Sequence, residues 1–127
     1  MSIIGSLKID YLNVHATSTP VGDLSEVKAI TRLYGSNPSY LNISATKSAT
    51  GHLLGAAGAI EGIASILAVK NDLIPPTINT QNIDQAIPTT LNLTLGHSVS
   101  KKVNAAMSNT FGFGGHNATA IFKKFVE

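Results

Sequence analysis

Two histidines and a lysine stand where a folded chain can use them. His15 lies in Val14-His15-Ala16-Thr17-Ser18-Thr19-Pro20; Lys47 and His52 lie in Thr46-Lys47-Ser48-Ala49-Thr50-Gly51-His52-Leu53-Leu54-Gly55. A histidine just beyond a strand end stands where an open α/β sheet places functional groups. A third segment, Asn109-Thr110-Phe111-Gly112-Phe113-Gly114-Gly115, combines glycines with two aromatic side chains. Taken singly, each has a plain reading. His15 can be a loop histidine bonded to nearby backbone, Lys47 a solvated lysine, His52 a residue near a helix start, and the glycines a hairpin turn needing φ > 0. A simple surface turn gains nothing from Phe111 and Phe113, whereas a mobile loop closing an apolar channel wants both glycine and aromatic. The glycines argue against a nucleotide site: Gly112–Gly115 has no strand–turn–helix frame and no Gly-Lys-Ser/Thr ending, and in Gly51–Gly58, which could mimic a phosphate-binding turn at a helix start, His52, Leu53 and Leu54 crowd the position.

The elements that position these residues follow from local pattern. Ile9–Val14 reads as a short apolar strand delivering His15 at its C-terminal end, where open α/β sheets place ligands. A helix is expected from Asp23, with Glu26 completing a capping box and Gly35 stopping it. Leu24, Val27, Ile30 and Leu33 form its buried stripe. Leu41–Ala45 reads as a second strand, ending before Lys47. From Ala56 to Lys70 runs a helix with almost no polar face, which requires cover on all sides. Glu61 is its one charge before Lys70, so a partner, Lys47 or His52, is expected for that carboxylate. Pro75 and Pro76 end any helix, and an irregular stretch extends to about Thr90. Leu91–Leu95 alternates as a short strand. Val103–Met107 and Ala118–Phe125 form a closing antiparallel pair around the glycine turn. The alternation of strand and helix gives an α/β fold with a mixed five-stranded sheet and helices packed on it. His97 reads as a surface residue; His116 ends the glycine turn.

Composition narrows the class. The chain has 127 residues, one domain by length, with 43% apolar and 13% charged side chains. The charged share is about half the usual ~25%, so extensive burial against another domain or subunit is expected. A formal charge of +2, with scattered Lys and Arg, speaks against nucleic-acid binding. No run reaches the ~18 apolar residues of a membrane span, and no basic-then-apolar leader opens the sequence. The expectation is a soluble, cytoplasmic domain without membrane or nucleic-acid partners. With no cysteine, disulfides and thiolate metal sites are excluded, and no metal is assigned.

In order and spacing, the three segments resemble the C-terminal half of β-ketoacyl-[acyl-carrier-protein] synthases of the type II, elongating kind, over about Ile9–Phe125. The resemblance implies one half of a thiolase-like fold, as a single domain over residues 1–127. It implies fatty-acid elongation by decarboxylative Claisen condensation, in which malonyl-[acyl-carrier protein] attacks an acyl group held on an enzyme cysteine. By position, His15 and His52 resemble the two active-site histidines, Lys47 the lysine that organises the second of them, and Glu61 its carboxylate. Thr17 and Thr19 resemble hydroxyl residues holding the pantetheine arm. Phe113 resembles the gating phenylalanine whose backbone N–H joins the oxyanion hole, with Gly112 and Gly114 beside it. The implied partners are acyl carrier protein in its acyl and malonyl forms, an N-terminal half supplying the cysteine, and a second copy in a homodimer of the full-length protein. No cofactor is implied beyond the phosphopantetheine arm of the carrier.

Two positions depart from that pattern: Ala16 stands where many relatives have glycine, and His116 where most have threonine. Without a cysteine the chain alone is expected to be inactive. The alternatives are a non-catalytic partner subunit resembling a chain-length factor, which has little reason to keep both histidines, and a degradative thiolase, which would want a cysteine here.

Overall fold

The computed structural model describes residues 8–126. Among the described residues, six strands and three α-helices form in the order β1 (Tyr11–Asn13), α1 (Pro20–Tyr34), β2 (Asn42–Ser44), α2 (Lys47–Thr50), α3 (Ala57–Asn71), β3 (Leu73–Ile74), β4 (Val99–Ser100), β5 (Ala105–Gly112) and β6 (His116–Lys123). The main sheet has the order β2–β1–β5–β6. β1 runs parallel to both β2 and β5, and β5 pairs antiparallel with β6. β3 and β4 form a separate two-stranded antiparallel ribbon.

Period-two alternation along the central strands sorts side chains onto two faces. Leu12, Val14, Ala105 and Met107 pack with Ile30 of α1 and with Leu41, Ile43 and Leu91. Tyr11 and Ala106 point the other way and pack with Ala68 and Val69 of α3, Ile74 and Val103. Each buried aliphatic side chain of this kind contributes ~1.5–3 kcal/mol. The Tyr11 hydroxyl pairs with that of Ser44 at 2.9 Å, and burial pushes its pKa up well beyond the usual phenol value.

The α/β class and mixed sheet match the sequence reading, but the main sheet has four strands, not five. Leu91–Leu95, expected as the fifth, touches β2 through a single parallel bridge, Leu93 to Ile43. The Leu93 N–H turns back to the Leu91 carbonyl at 3.0 Å, and that local bond prevents an extended ladder. The segment then inserts between β2 and Thr77, whose N–H donates to the Thr94 carbonyl at 2.8 Å.

Helix α1 begins three residues earlier than expected. Thr19 is its extended N-cap and Pro20 its first residue, where the fixed φ of proline is already helical and its missing N–H costs nothing. Asp23 still serves the helix start, accepting the Thr19 N–H at 3.2 Å. Glu26 does not complete the box; it is buried and turned toward β1. Gly35 stops the helix as expected, at φ 85° with its N–H on the Thr31 carbonyl. Of the expected stripe, Ile30 is buried while Leu33 is exposed.

Helix α3 buries its small and polar positions, Ala57, Glu61, Gly62, Ser65, Ala68 and Val69. It leaves the larger Ile63, Ile66 and Leu67 about half exposed. Strand β6 is exposed along almost its whole length, with Phe122 the half-buried exception. The glycine turn is shorter than expected because both strands extend into it, pairing Gly112 with His116. Only Phe113–Gly115 remains as a 3₁₀ turn. Gly114 and Gly115 both have φ 79° there, a region open to glycine at little cost.

Candidate active site

Strand β1 is central in the sheet, so His15 emerges between the ends of β2 and β5. Its position is held by a carboxylate. Glu26 of α1 accepts the His15 N–H on Oε1 and the Ala16 N–H on Oε2, each at 3.0 Å. The Asn109 side-chain amide of β5 donates to Oε1 at 3.2 Å. Burial raises the Glu26 pKa, and these three N–H donors, with the more distant Lys47, oppose that rise. Beyond His15 the chain turns sharply: Ala16 has φ 26° and Ser18 φ 61°, a left-handed conformation that costs a residue with a Cβ. The alanine standing at this point carries that strain where glycine would not.

Lys47 opens α2, and its ammonium pairs with the Glu61 carboxylate of α3. Both side chains are buried, at 6% and 1% exposure. Of the two partners expected for Glu61, the structure selects Lys47. A buried pair like this is held by geometry; removing one member would leave an uncompensated charge at a cost of ~3–5 kcal/mol. The link between strands and helices is reinforced by Asn13, whose amide donates to Thr46 Oγ1 at 2.9 Å.

His52 follows the Gly51 cap of α2, where φ is 75°. Its Nδ1 accepts the Leu54 N–H at 3.2 Å, so the neutral ring carries its proton on Nε2. The His15 and His52 rings meet edge to face, with centroids 5.6 Å apart and planes at 88°. Phe111 of β5 packs against the His15 ring, with centroids 5.4 Å apart. Burial lowers the His15 pKa below the ordinary 6.5, followed in effect by the Lys47 charge and His52, against an opposing pull from Asp23. This environment therefore favours the neutral imidazole at His15. Its Nδ1 is buried and, among the described residues, has no hydrogen-bond partner.

A cleft of about 800 Å³ lies beside this cluster, with Thr17, Thr19, Lys47, Ser48 and His52 among its walls. The Thr17 and Thr19 hydroxyls lie 3.5 Å apart on its rim. The structure thus brings His15, His52, Lys47 and Glu61 together, with the two threonines adjoining. Gly112, Phe113 and Gly114 sit at the far end of β5, and Phe113 is 99% exposed. The aromatic in contact with His15 is Phe111. His97 is exposed, as expected. His116 opens β6, and its ring lies over Gly114, where an added Cβ would come within 3.5 Å of it.

Three participants went unrecognised in the sequence. Glu26 fits the sequence pattern of a cap, although it lies four residues before Ile30 and so on the buried side of α1. Asn109 and Phe111 are two apart on β5 and so share one face; nothing local marked that face as the one turned to His15.

Residues 2–81 match the family described as β-ketoacyl synthase, C-terminal domain. The chain belongs to the β-ketoacyl synthase family. It is 49% identical over 117 residues to a 3-oxoacyl-[acyl-carrier-protein] synthase 2 of Staphylococcus aureus (strain COL), covering 92% of this chain and 28% of that protein. A Synechocystis synthase of the same name is 45% identical over the same shares. Among solved structures, a β-ketoacyl synthase from Burkholderia phymatum STM815 superposes with a TM-score of 0.84 at 37% identity, over 93% of this chain and 28% of that one. The ishigamide ketosynthase/chain length factor gives 0.86 at 36% identity, over the same shares. The thiolase-like ketosynthase fold is therefore shared, and the chain spans 28% of the length of these synthase relatives. Among the described residues, no helix is long and apolar enough to cross a membrane.

Proposed function

We propose that this chain is the C-terminal catalytic part of an elongating 3-oxoacyl-[acyl-carrier-protein] synthase. The observation that carries this reading is the edge-to-face meeting of His15 and His52 beside the buried Lys47–Glu61 pair. In the proposed reaction a cysteine of the N-terminal region first takes the acyl group from its carrier. The malonyl thioester then loses carbon dioxide: the bond from C2 to its carboxyl carbon breaks, and the electron pair moves into an enolate on the thioester oxygen. The two imidazoles stabilise that oxygen as its charge grows, His52 donating from Nε2. The C2 carbon then attacks the acyl carbonyl, forming the new carbon–carbon bond and releasing the cysteine thiolate. Lys47 and Glu61 fix the segment that holds His52; Thr17 and Thr19 hold the pantetheine arm. Phe113, with Gly112 and Gly114, forms a gate and contributes a backbone N–H to the oxyanion hole.

The partners in this reading are acyl carrier protein, bearing acyl and malonyl groups, and the N-terminal region. The complete enzyme is a cytoplasmic homodimer, and its chemistry calls for no cofactor beyond the carrier's phosphopantetheine. This chain has no cysteine, so alone it does not form the acyl-enzyme. A chain-length-factor role is the weaker alternative, because such a partner has no use for two convergent imidazoles. The test is to combine the chain with a recombinant N-terminal region and assay condensation of acyl and malonyl thioesters. Elongated 3-oxoacyl product from the pair, and from neither piece alone, is expected. A properly assembled pair that makes none defeats the proposal.

A further inference from the structure

We infer that Asn109 is a positioning residue that couples the glycine turn to His15; this rests on the ketosynthase reading above. Its side chain stands at the centre of a chain of hydrogen bonds. The Thr119 hydroxyl of β6 donates to Asn109 Oδ1 at 2.9 Å, and Asn109 Nδ2 donates to Glu26 Oε1 at 3.2 Å. Glu26 in turn receives the His15 and Ala16 N–H groups at 3.0 Å. Two residues further along the same face of β5, Phe111 lies 5.4 Å from the His15 ring. One face of one strand therefore reaches His15 twice, at its backbone through Asn109 and the intervening Glu26 carboxylate, and at its ring through Phe111. The turn Phe113–Gly115 starts just after this grip. β5 and β6 are paired without a break from Ala105–Lys123 to Gly112–His116, so a change of twist at the turn is carried along both strands to positions 109 and 119. The anchor is stiff at its other end, since Glu26 is buried at 4% exposure with both oxygens engaged. Movement of the turn thus reaches the imidazole by way of Asn109, and the state of the gate is matched to the readiness of the donor.

The test uses a complete synthase made by joining this chain to its N-terminal region, with Asn109→Leu, Thr119→Val and Phe113→Ala introduced singly and in pairs. Malonyl-[acyl-carrier protein] decarboxylation and cysteine acylation are measured separately. Asn109→Leu should lower kcat for decarboxylation roughly 10-fold while leaving KM for the malonyl donor within about twofold, because a displaced donor impairs the transition state and not binding. Cysteine acylation should stay within about twofold on the same grounds. The effect of Phe113→Ala on decarboxylation should shrink or vanish once Asn109 is leucine, the mark of two coupled positions. Thr119→Val removes only an exposed hydroxyl, and should give a smaller fall with the same split; it decides the matter if Asn109→Leu does not fold. Unchanged decarboxylation in the folded variants, a loss confined to KM, or effects of Phe113→Ala and Asn109→Leu that simply multiply would each overturn the coupling. Absence of decarboxylation in the unsubstituted enzyme would instead defeat the ketosynthase reading.

Discussion

The two imidazoles of the site are held differently, and the difference assigns their work. His52 is exposed, but the Leu54 N–H fixes its tautomer, so it presents a donor and not a base. Substituting His52→Ala in the complete synthase should abolish malonyl decarboxylation while cysteine acylation largely survives. Equal loss of both steps, measured by carbon dioxide release and by acyl-enzyme formation, would show the role to be wrongly placed. His15 is the partly buried member, with a pKa held below 6.5 by burial first and the nearby Lys47 charge second. The unfolded chain therefore takes up that proton before the folded one as pH falls. The contribution of His15 to stability is complete above 6.5 and declines below it, toward the folded pKa. In the proposed reaction the neutral ring is also the working form. The acid limb of kcat/KM for that step should accordingly lie below pH 6.5, the ordinary histidine value; a limb above it would contradict the lowered pKa.

At the scale of elements, α3 packs on β6 where Gly62 faces Phe122. A Cβ built on Gly62 would meet the Phe122 ring at 3.4 Å, an ordinary contact distance. Gly62→Ala should therefore raise the thermal midpoint slightly, since a helix-interior alanine is favoured over glycine by ~1 kcal/mol. Gly62→Leu has no room and should destabilise by ~1–3 kcal/mol; denaturant melts of the two variants read both effects. Much of this level was legible in the chain. The strands ending at His15 and before Lys47, the apolar helix, the Gly35 stop and the final hairpin all follow from period and punctuation. The start of α1 was misplaced because Asp23 and Glu26 satisfy a local capping rule, while the true signal was the Thr19-Pro20 pair. Glu26 was misjudged for a deeper reason: its partners are the N–H groups of His15 and Ala16 and the amide of Asn109, which only the fold brings near. For the same reason Lys47–Glu61 was legible as one of two pairings and no further. Leu91–Leu95 had strand-like alternation, but one local turn at Leu93 outweighed it.

For the molecule as a whole, the apolar side of α3 and the open strand β6 are the outstanding surface. Ile63, Ile66 and Leu67 are 54%, 45% and 48% exposed, and β6 offers an unprotected edge that invites pairing. The chain by itself should self-associate or precipitate. Replacing Ile63 and Leu67 with lysine should suppress this without altering the fold. Size-exclusion chromatography with circular dichroism distinguishes the outcomes, and a well-behaved monomer from the unsubstituted chain would contradict the expectation. The strand order has a consequence in time as well as space. Since β5 docks beside β1, with Asp10 and Ala105 bonded across 95 positions, the middle of the sheet stays vacant on its inner flank until late-made residues arrive. A growing polypeptide on the ribosome therefore cannot set His15 early; maturation of that residue waits until the β5 segment has been translated.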